Sequence, residues 1–194
     1  MIKALEPQSQ VASTVLAPLD QLGTEARRRI DPLVSVRAYL DSLRRDGLLV
    51  DAVDVVSYVL PKQYAIAWAC ECWREAHAGR EPDPVEAGAA AAARRWLQDP
   101  SEENRRAALT LADRLGYRTA GAWLAAAAGW SGGTMMPSGE YEVPPPPGLS
   151  GNAVAAALKL LAAREPDAFE AQLARFVDQA LATFAGSSPA QDPA

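Results

Sequence analysis

The sequence predicts an all-α fold: an irregular bundle of about eight helices in antiparallel hairpins, interrupted by one long Pro/Gly-rich loop. Three observations predict it. Strand signals are nearly absent, the only β-branched run being "LVDAVDVVSYVL" at 49–60. Apolar residues recur three and four positions apart along most of the chain. Capping chemistry also recurs, with an Asp, Ser or Thr before an apolar stretch and a Gly after it. A solenoid-like stack of hairpins is the rival architecture.

In chain order, the first helical segment is expected near 11–22. Pro18 weakens it, so residues 1–30 read as an N-terminal segment that is only partly helical. Asp31-Pro32 places a capping acid before a Pro and opens a helix over 32–46, stopped at Gly47. In 48–60, Val53, Val56 and Leu60, with Val55 and Val59, fit a helical period. Over 62–78, Trp73 anchors a core face with Ala65, Ile66, Ala69 and Ala76, and Gly79 ends the helix. Asp83-Pro84-Val85-Glu86 opens 84–98, and Asp99-Pro100-Ser101-Glu102 opens 100–115. Each has an acid before Pro and a Glu three residues after the cap. Gly116 closes the second of these helices. Thr119 is expected to cap 120–130, Ser150 to cap 151–164 and Asp167 to cap 167–185, which Gly186 closes.

The last two helices carry apolar stripes: Val154, Leu158 and Leu161 on one, Phe169, Leu173, Phe176, Val177, Ala180, Leu181 and Phe184 on the other. With the short link at Arg164-Glu165-Pro166 they predict an antiparallel hairpin. The helical domain is therefore expected to span 31–185, with the loop at 131–149 and a disordered tail, "GSSPAQDPA", at 186–194. "EPDPVEA" at 81–87 echoes "EPDAFEA" at 165–171. The echo stops after seven residues and reads as shared helix-start chemistry.

Composition narrows the function classes. The 194 residues are 49% hydrophobic and 22% charged, with a net charge of −5. Arginines cluster at 27–29, 44–45, 94–95 and 105–106, but each cluster sits among acids, as on solvated helix faces. A nucleic-acid partner is not expected, since such a binder gathers basic charge on one face. No apolar run approaches a membrane span, and "VASTVLAPLDQL" is too short and broken for a secretory signal. Cys70 and Cys72, two apart, diverge by roughly 200° on a helix, which disfavours a disulfide. The expected location is cytoplasmic.

Catalytic chemistry finds little to stand on. Cys70, Glu71, Cys72, Glu75 and His77 resemble metal ligands in type, but two helical ligands on one metal need spacings of three or four. His77 is the only histidine, and no third group orients a Cys/His pair. Glu102-Glu103 and Asp51/Asp54 sit at helix starts, where acids offset the dipole. Gly132-Gly133 is too short for a phosphate loop. No catalytic, cofactor-binding or metal-binding residue is assigned.

The segment "WSGGTMMPSGEYEVPPPPGLSG" at 130–151 is different in kind. Trp130 follows Trp123 by seven residues and shares its helix face. Met135 and Met136 suit an adaptable surface. Pro144, Pro145, Pro146 and Pro147 predict a polyproline II strut with little freedom to lose on docking. One reading is a semi-rigid recognition loop made by Trp130, Met135, Met136, Tyr141 and the four prolines. The other is a strap across the bundle with Tyr141 and Val143 tucked in. Tyr64 and Trp68, beside Glu71 and Glu75, form a second candidate patch unless another element covers them.

The segments "LPKQYAIAWACEC" (60–72), "WLQDPSEENRRAAL" (96–109), "WLAAAAGWSGG" (123–133) and "VPPPPGLSGNAV" (143–154) resemble a family of small bacterial helical proteins of unknown function. The resemblance covers most of 58–185. It implies a neighbourhood of type VI secretion genes and an accessory role as adaptor or effector chaperone, with a secretion component or effector as protein partner. It supplies no catalytic residues. The leading expectation is thus a non-enzymatic interaction module. The alternatives are an immunity protein whose acidic balance suits a basic toxin, and an enzyme with an unrecognised site using Glu71, Glu75 and His77.

Overall fold

The computed structural model describes residues 12–136 and 141–185, with side chains to Thr183. Every regular element among them is helical. Two short helices come first, α1 (Ala12–Leu16) and α2 (Thr24–Arg28). Eight longer ones follow: α3 (Val36–Arg45), α4 (Leu49–Val59), α5 (Lys62–Ala76), α6 (Pro84–Gln98), α7 (Glu102–Leu115), α8 (Ala120–Gly129), α9 (Leu149–Ala163) and α10 (Phe169–Ala185). A 3-10 turn, Pro166–Ala168, precedes the last. The all-α expectation and its eight principal helices hold. Helix α2 has no counterpart in the sequence reading, and α1 stops at Leu16, before Pro18. The tail at 186–194, the side chain of Phe184 and the stop at Gly186 lie outside the described residues.

The chain divides into two units. Described residues up to Leu60 and from Glu170 onward form the first; Pro61–Phe169 form the second. The expected hairpin of the last two helices is therefore shared out, α9 to the second unit and α10 to the first. Within the first unit, Arg44 makes a bidentate pair with Asp178 of α10 at 2.8 Å for both bonds. Arg37 donates to the carbonyl of Leu181 at 3.1 Å. The stripe Leu173, Phe176, Val177, Ala180 and Leu181 is buried, and so is the α3 stripe Val36, Tyr39, Leu40 and Leu43. The Tyr39 hydroxyl donates to the carbonyl of Ala26 at 2.7 Å, holding α2 against α3. The ambiguous run at 49–60 is helix α4, with Val53, Val55 and Val56 fully buried.

The second unit is built around α8, which packs against α5, α6, α7 and α9. Its sequence, "AGAWLAAAAG", is apolar on every side, and every residue but Trp123 is buried. A helix of that kind belongs in a core rather than on a surface. Small residues let its neighbours come close. A Cβ on Gly121 would lie 2.3 Å from the carbonyl oxygen of Glu86 in α6, and one on Gly129 would lie 2.6 Å from Leu109 Cβ in α7.

Capping follows the expected chemistry at some ends and shifts at others. Asp83 caps α6 through Val85 and Glu86, and Thr119 caps α8 through Ala122. Four starts differ. Asp31 spends its carboxylate on a turn, accepting from the Leu33 N–H at 2.7 Å, and Ser35 caps α3 instead. Ser101, not Asp99, caps α7; Asp99 accepts from the Ser101 hydroxyl and from the Asn104 amide. Ser150 lies inside the first turn of α9, its hydroxyl donating to Ala127 at 2.8 Å, and Gly148 at φ 82° is the cap residue. At Asp167 no side-chain cap is formed; the residue lies in the 3-10 turn, whose cap position is Glu165.

Candidate functional site

The connection from α8 to α9 runs over 130–148, of which 137–140 lie outside the described residues. Its base is fixed by hydrogen bonds. Lys62 Nζ donates to the Ser131 carbonyl at 2.7 Å, and the Ser131 hydroxyl donates to Ala128 at 2.7 Å. Arg105 of α7, only 4% exposed, lies against the next turn of chain. Its Nη2 donates to the Thr134 carbonyl at 3.1 Å, and its Nη1 donates to the Gly129 carbonyl. Glu102 holds the guanidinium from the other side, at 2.6 and 2.7 Å. Gly133 adopts φ 63°, and a Cβ there would sit 2.8 Å from Arg105 Nε. Only glycine permits both the backbone turn and the guanidinium beside it.

Thr134 then clasps the returning strand of chain. Its Oγ1 accepts from the N–H of Val143 at 2.9 Å and of Met136 at 3.1 Å. The Met135 N–H donates to the Val143 carbonyl at 2.7 Å. The chain thus leaves and re-enters at one anchored point. Above that point the side chains are exposed: Met135 38%, Met136 44%, Tyr141 77% and Val143 44%. Pro144, Pro146 and Pro147 are exposed and Pro145 is half-buried. Since each of Pro144 to Pro146 precedes another proline, the run is confined to extended, polyproline-like backbone. The strap reading had Tyr141 and Val143 tucked in. Neither is, because the anchoring is done by backbone groups and by Arg105.

Trp130 ends α8 half-buried in a cluster of three aromatic rings. It stacks on Tyr117 at 5.5 Å and 18° and meets Trp123 edge-on at 6.2 Å; Tyr117 and Trp123 are 5.4 Å apart. Tyr117 is the one described non-glycine residue at positive φ, 57°. That conformation costs on the order of 1–3 kcal/mol, and the ring contacts hold it in place. Its hydroxyl also donates to the Asp113 carboxylate. Burial, then the hydrogen bond to Asp113 and its charge, push the phenol up to about 12.

The second candidate patch comes apart. Tyr64 is half-buried and Trp68 is 8% exposed, so Trp68 is a buried side chain and not a surface anchor. The residues of the enzyme reading are also otherwise engaged. Glu71 pairs with Arg74 on the solvent side of α5, which holds its carboxyl below the usual range. His77 is buried, donating from Nδ1 to the Trp73 carbonyl at 2.8 Å and accepting at Nε2 from Arg164. Arginine only donates, so this pairing fixes the tautomer. Cys70 and Cys72 are free and buried. Burial pushes the Cys70 thiol up to about 12 and raises Cys72 too. Among the described residues no group of three His, Cys, Asp or Glu is placed to hold a metal ion, and no helix is long and apolar enough to cross a membrane.

Arg105, Thr134 and Tyr117 are the residues that sequence reasoning missed. Arg105-Arg106 follows Glu102 at helical spacing, the pattern of an exposed ion pair. Nothing local marks Arg105 as the buried partner of a loop 24 to 29 residues away. Tyr117 carried a weak signal, a large side chain directly after a helix-ending glycine.

The model of a family of unknown function, DUF6931, matches residues 39–184. The chain belongs to the DUF6931 family. The DUF6931 region begins inside α3 and runs into α10, so it takes in the anchored loop, the aromatic cluster and parts of both units. It starts earlier than the resemblance read from the sequence, which began near residue 58. No curated protein and no solved structure matches this DUF6931 chain.

Proposed function

We propose that this protein is a non-enzymatic interaction module that docks a protein partner on the anchored loop between α8 and α9. One observation carries the reading. Met135, Met136, Tyr141 and Val143 are exposed together on a segment whose backbone is tied down at Thr134 and Arg105. Exposed apolar groups beside backbone that is already tied down dock at a lower ordering cost than groups on a free chain. Two flexible methionines, a tyrosine and a proline run are side chains suited to protein contact. Trp130 supports the loop from below through its ring cluster, rather than meeting a partner by itself.

The partner we propose is a component or effector of type VI secretion, and the role that of a cytoplasmic adaptor or effector chaperone. Support for this narrower reading is the resemblance of the four segments at 60–72, 96–109, 123–133 and 143–154. The test is affinity capture from the cells that make the protein, with Met135→Ser/Met136→Ser/Tyr141→Ser beside the unaltered chain. The expected result is loss of one secretion-system protein from the captured set, with the unfolding midpoint unchanged. Capture of the same proteins in the same yield would overturn the site. Rescue of host cells from a toxin, without any effect on secretion, would favour the immunity alternative over the chaperone.

A further inference from the structure

We propose that a cavity in the second unit, remote in sequence from the loop tip, binds a small zwitterion of the free aliphatic α-amino-acid class. The cavity, of about 330 Å³, is lined by residues from the start of α8, the end of α9 and the first turn of α6. That volume is at the lower end for ligand sites and ample for one amino acid. Its charged wall residues are Glu86, Arg118 and Arg164; its apolar ones are Ala120, Leu160 and Ala163.

The charges on this wall are not spent on one another. Glu86 is 9% exposed. Its Oε1 accepts two long bonds, from the Gly121 N–H at 3.3 Å and from Trp73 Nε1 at 3.4 Å. Among the described residues no donor reaches its Oε2 and no Lys or Arg forms an ion pair with it. A carboxylate offers about four acceptor sites, and Glu86 lines the cavity with Oε2 reachable by solvent rather than orphaned in the core. Arg118 donates only to the Leu115 carbonyl, at 3.4 Å, and Arg164 only to His77. Neither guanidinium meets a carboxylate among the described residues.

A cavity that presents a carboxylate with no protein cation on it and two carboxylate-free guanidiniums matches a ligand with the inverse pattern. An ammonium group completes the shell of Glu86, a carboxylate takes the forked donors of the arginines, and an aliphatic side chain lies on Leu160 and the two alanines. An anion alone would leave Glu86 as it is, and a simple amine would leave the arginines as they are. Only a molecule with both groups satisfies the wall.

The experiment is calorimetric titration of the full chain with L-alanine, L-valine and L-leucine, and in parallel with 4-methylpentanoate and leucinamide, each carrying one of leucine's two charges. The expected result is saturable binding of at least one of the three amino acids, with both single-charge analogues at least tenfold weaker than leucine. Arg118 is exposed and touches one carbonyl, so Arg118→Gln leaves the fold intact and weakens amino-acid binding at least tenfold. Glu86→Gln keeps an acceptor for Gly121 and Trp73 and removes the preference of the site for leucine over 4-methylpentanoate. No binding of any of the three at millimolar concentration, equal binding of leucine and both analogues, or binding unaffected by Arg118→Gln would each overturn the proposal.

Discussion

Arg105 joins a helix to the loop through three separate acceptors. Removing its side chain leaves the Gly129 and Thr134 carbonyls without their donor and leaves Glu102 with Arg106 alone. Unmet buried acceptors cost about 1–3 kcal/mol each. Arg105→Ala is therefore expected to lower unfolding free energy by about 2–4 kcal/mol in a denaturant titration, and to speed amide exchange at Met135, Met136 and Val143. Glu102 gives a pH signature. Its hydrogen bond from Arg105, ahead of that from Arg106, holds its carboxyl at about 2, below the ordinary value of 4.5. A carboxyl lowered by folding stabilises fully above its unfolded value and loses that contribution as pH falls towards the folded one. The stability difference between the unaltered chain and Glu102→Gln is thus expected to be constant above about pH 5 and to shrink between about 4.5 and 2. Glu102 is half-exposed, so solvent screening keeps the difference small. The thiols act in the opposite sense: burial raises both, so thiol-specific reagents at pH 8 are expected to modify Cys70 and Cys72 only after unfolding. At this scale the sequence was legible where one residue decides, as at Asp83 and Thr119. It was misleading where two capping residues stood two apart. Asp99 and Ser101 compete for one helix end; Ser101 takes the cap, and the Asp99 carboxylate accepts instead from the Ser101 hydroxyl and the Asn104 amide.

Among the helices, α8 carries the strongest constraint. Its closeness to α6 and α7 rests on Gly121 and Gly129, where an added Cβ meets backbone or Cβ atoms well inside contact distance. Gly121→Ala and Gly129→Ala are each expected to cost about 3 kcal/mol, since the clash is with groups that cannot swing away. Gly88, exposed in α6 with nothing within 4 Å of a built Cβ, is the contrast. Gly88→Ala is expected to stabilise by about 0.5–1 kcal/mol through helix propensity and reduced freedom of the unfolded chain. Thermal unfolding of the three variants side by side checks both signs. Seven of the longer helices were legible within about two residues at each end, because their apolar period was clear. The start of α3 and the five-residue helix α2 were not. Four or five residues carry no period, and Asp31 had a competing use in a turn. Packing partners were legible for α8, whose all-apolar composition demanded burial, and not for α10, whose stripe named a buried face without naming the element that covers it.

For the whole molecule, membership of DUF6931 and the all-α architecture are firm, and the division into two units is the feature that no local signal announced. The candidate site was half legible. Composition singled out the segment at 130–151, where Met135, Met136 and Tyr141 are exposed. What fixes that segment was invisible, because it depends on Arg105, distant in sequence. Trp68 illustrates the converse: a helical wheel set it beside Glu71 and Glu75, but half-turn geometry cannot tell an exposed face from a covered one. The most direct test of the loop as a docking surface is photo-crosslinking in the native cell. A benzophenone amino acid would replace Tyr141 in one variant and Leu33, which is 92% exposed in the first unit, in another. A discrete crosslinked partner from position 141 and none from position 33 is the predicted result. The same products from both positions, or none from 141, would contradict it.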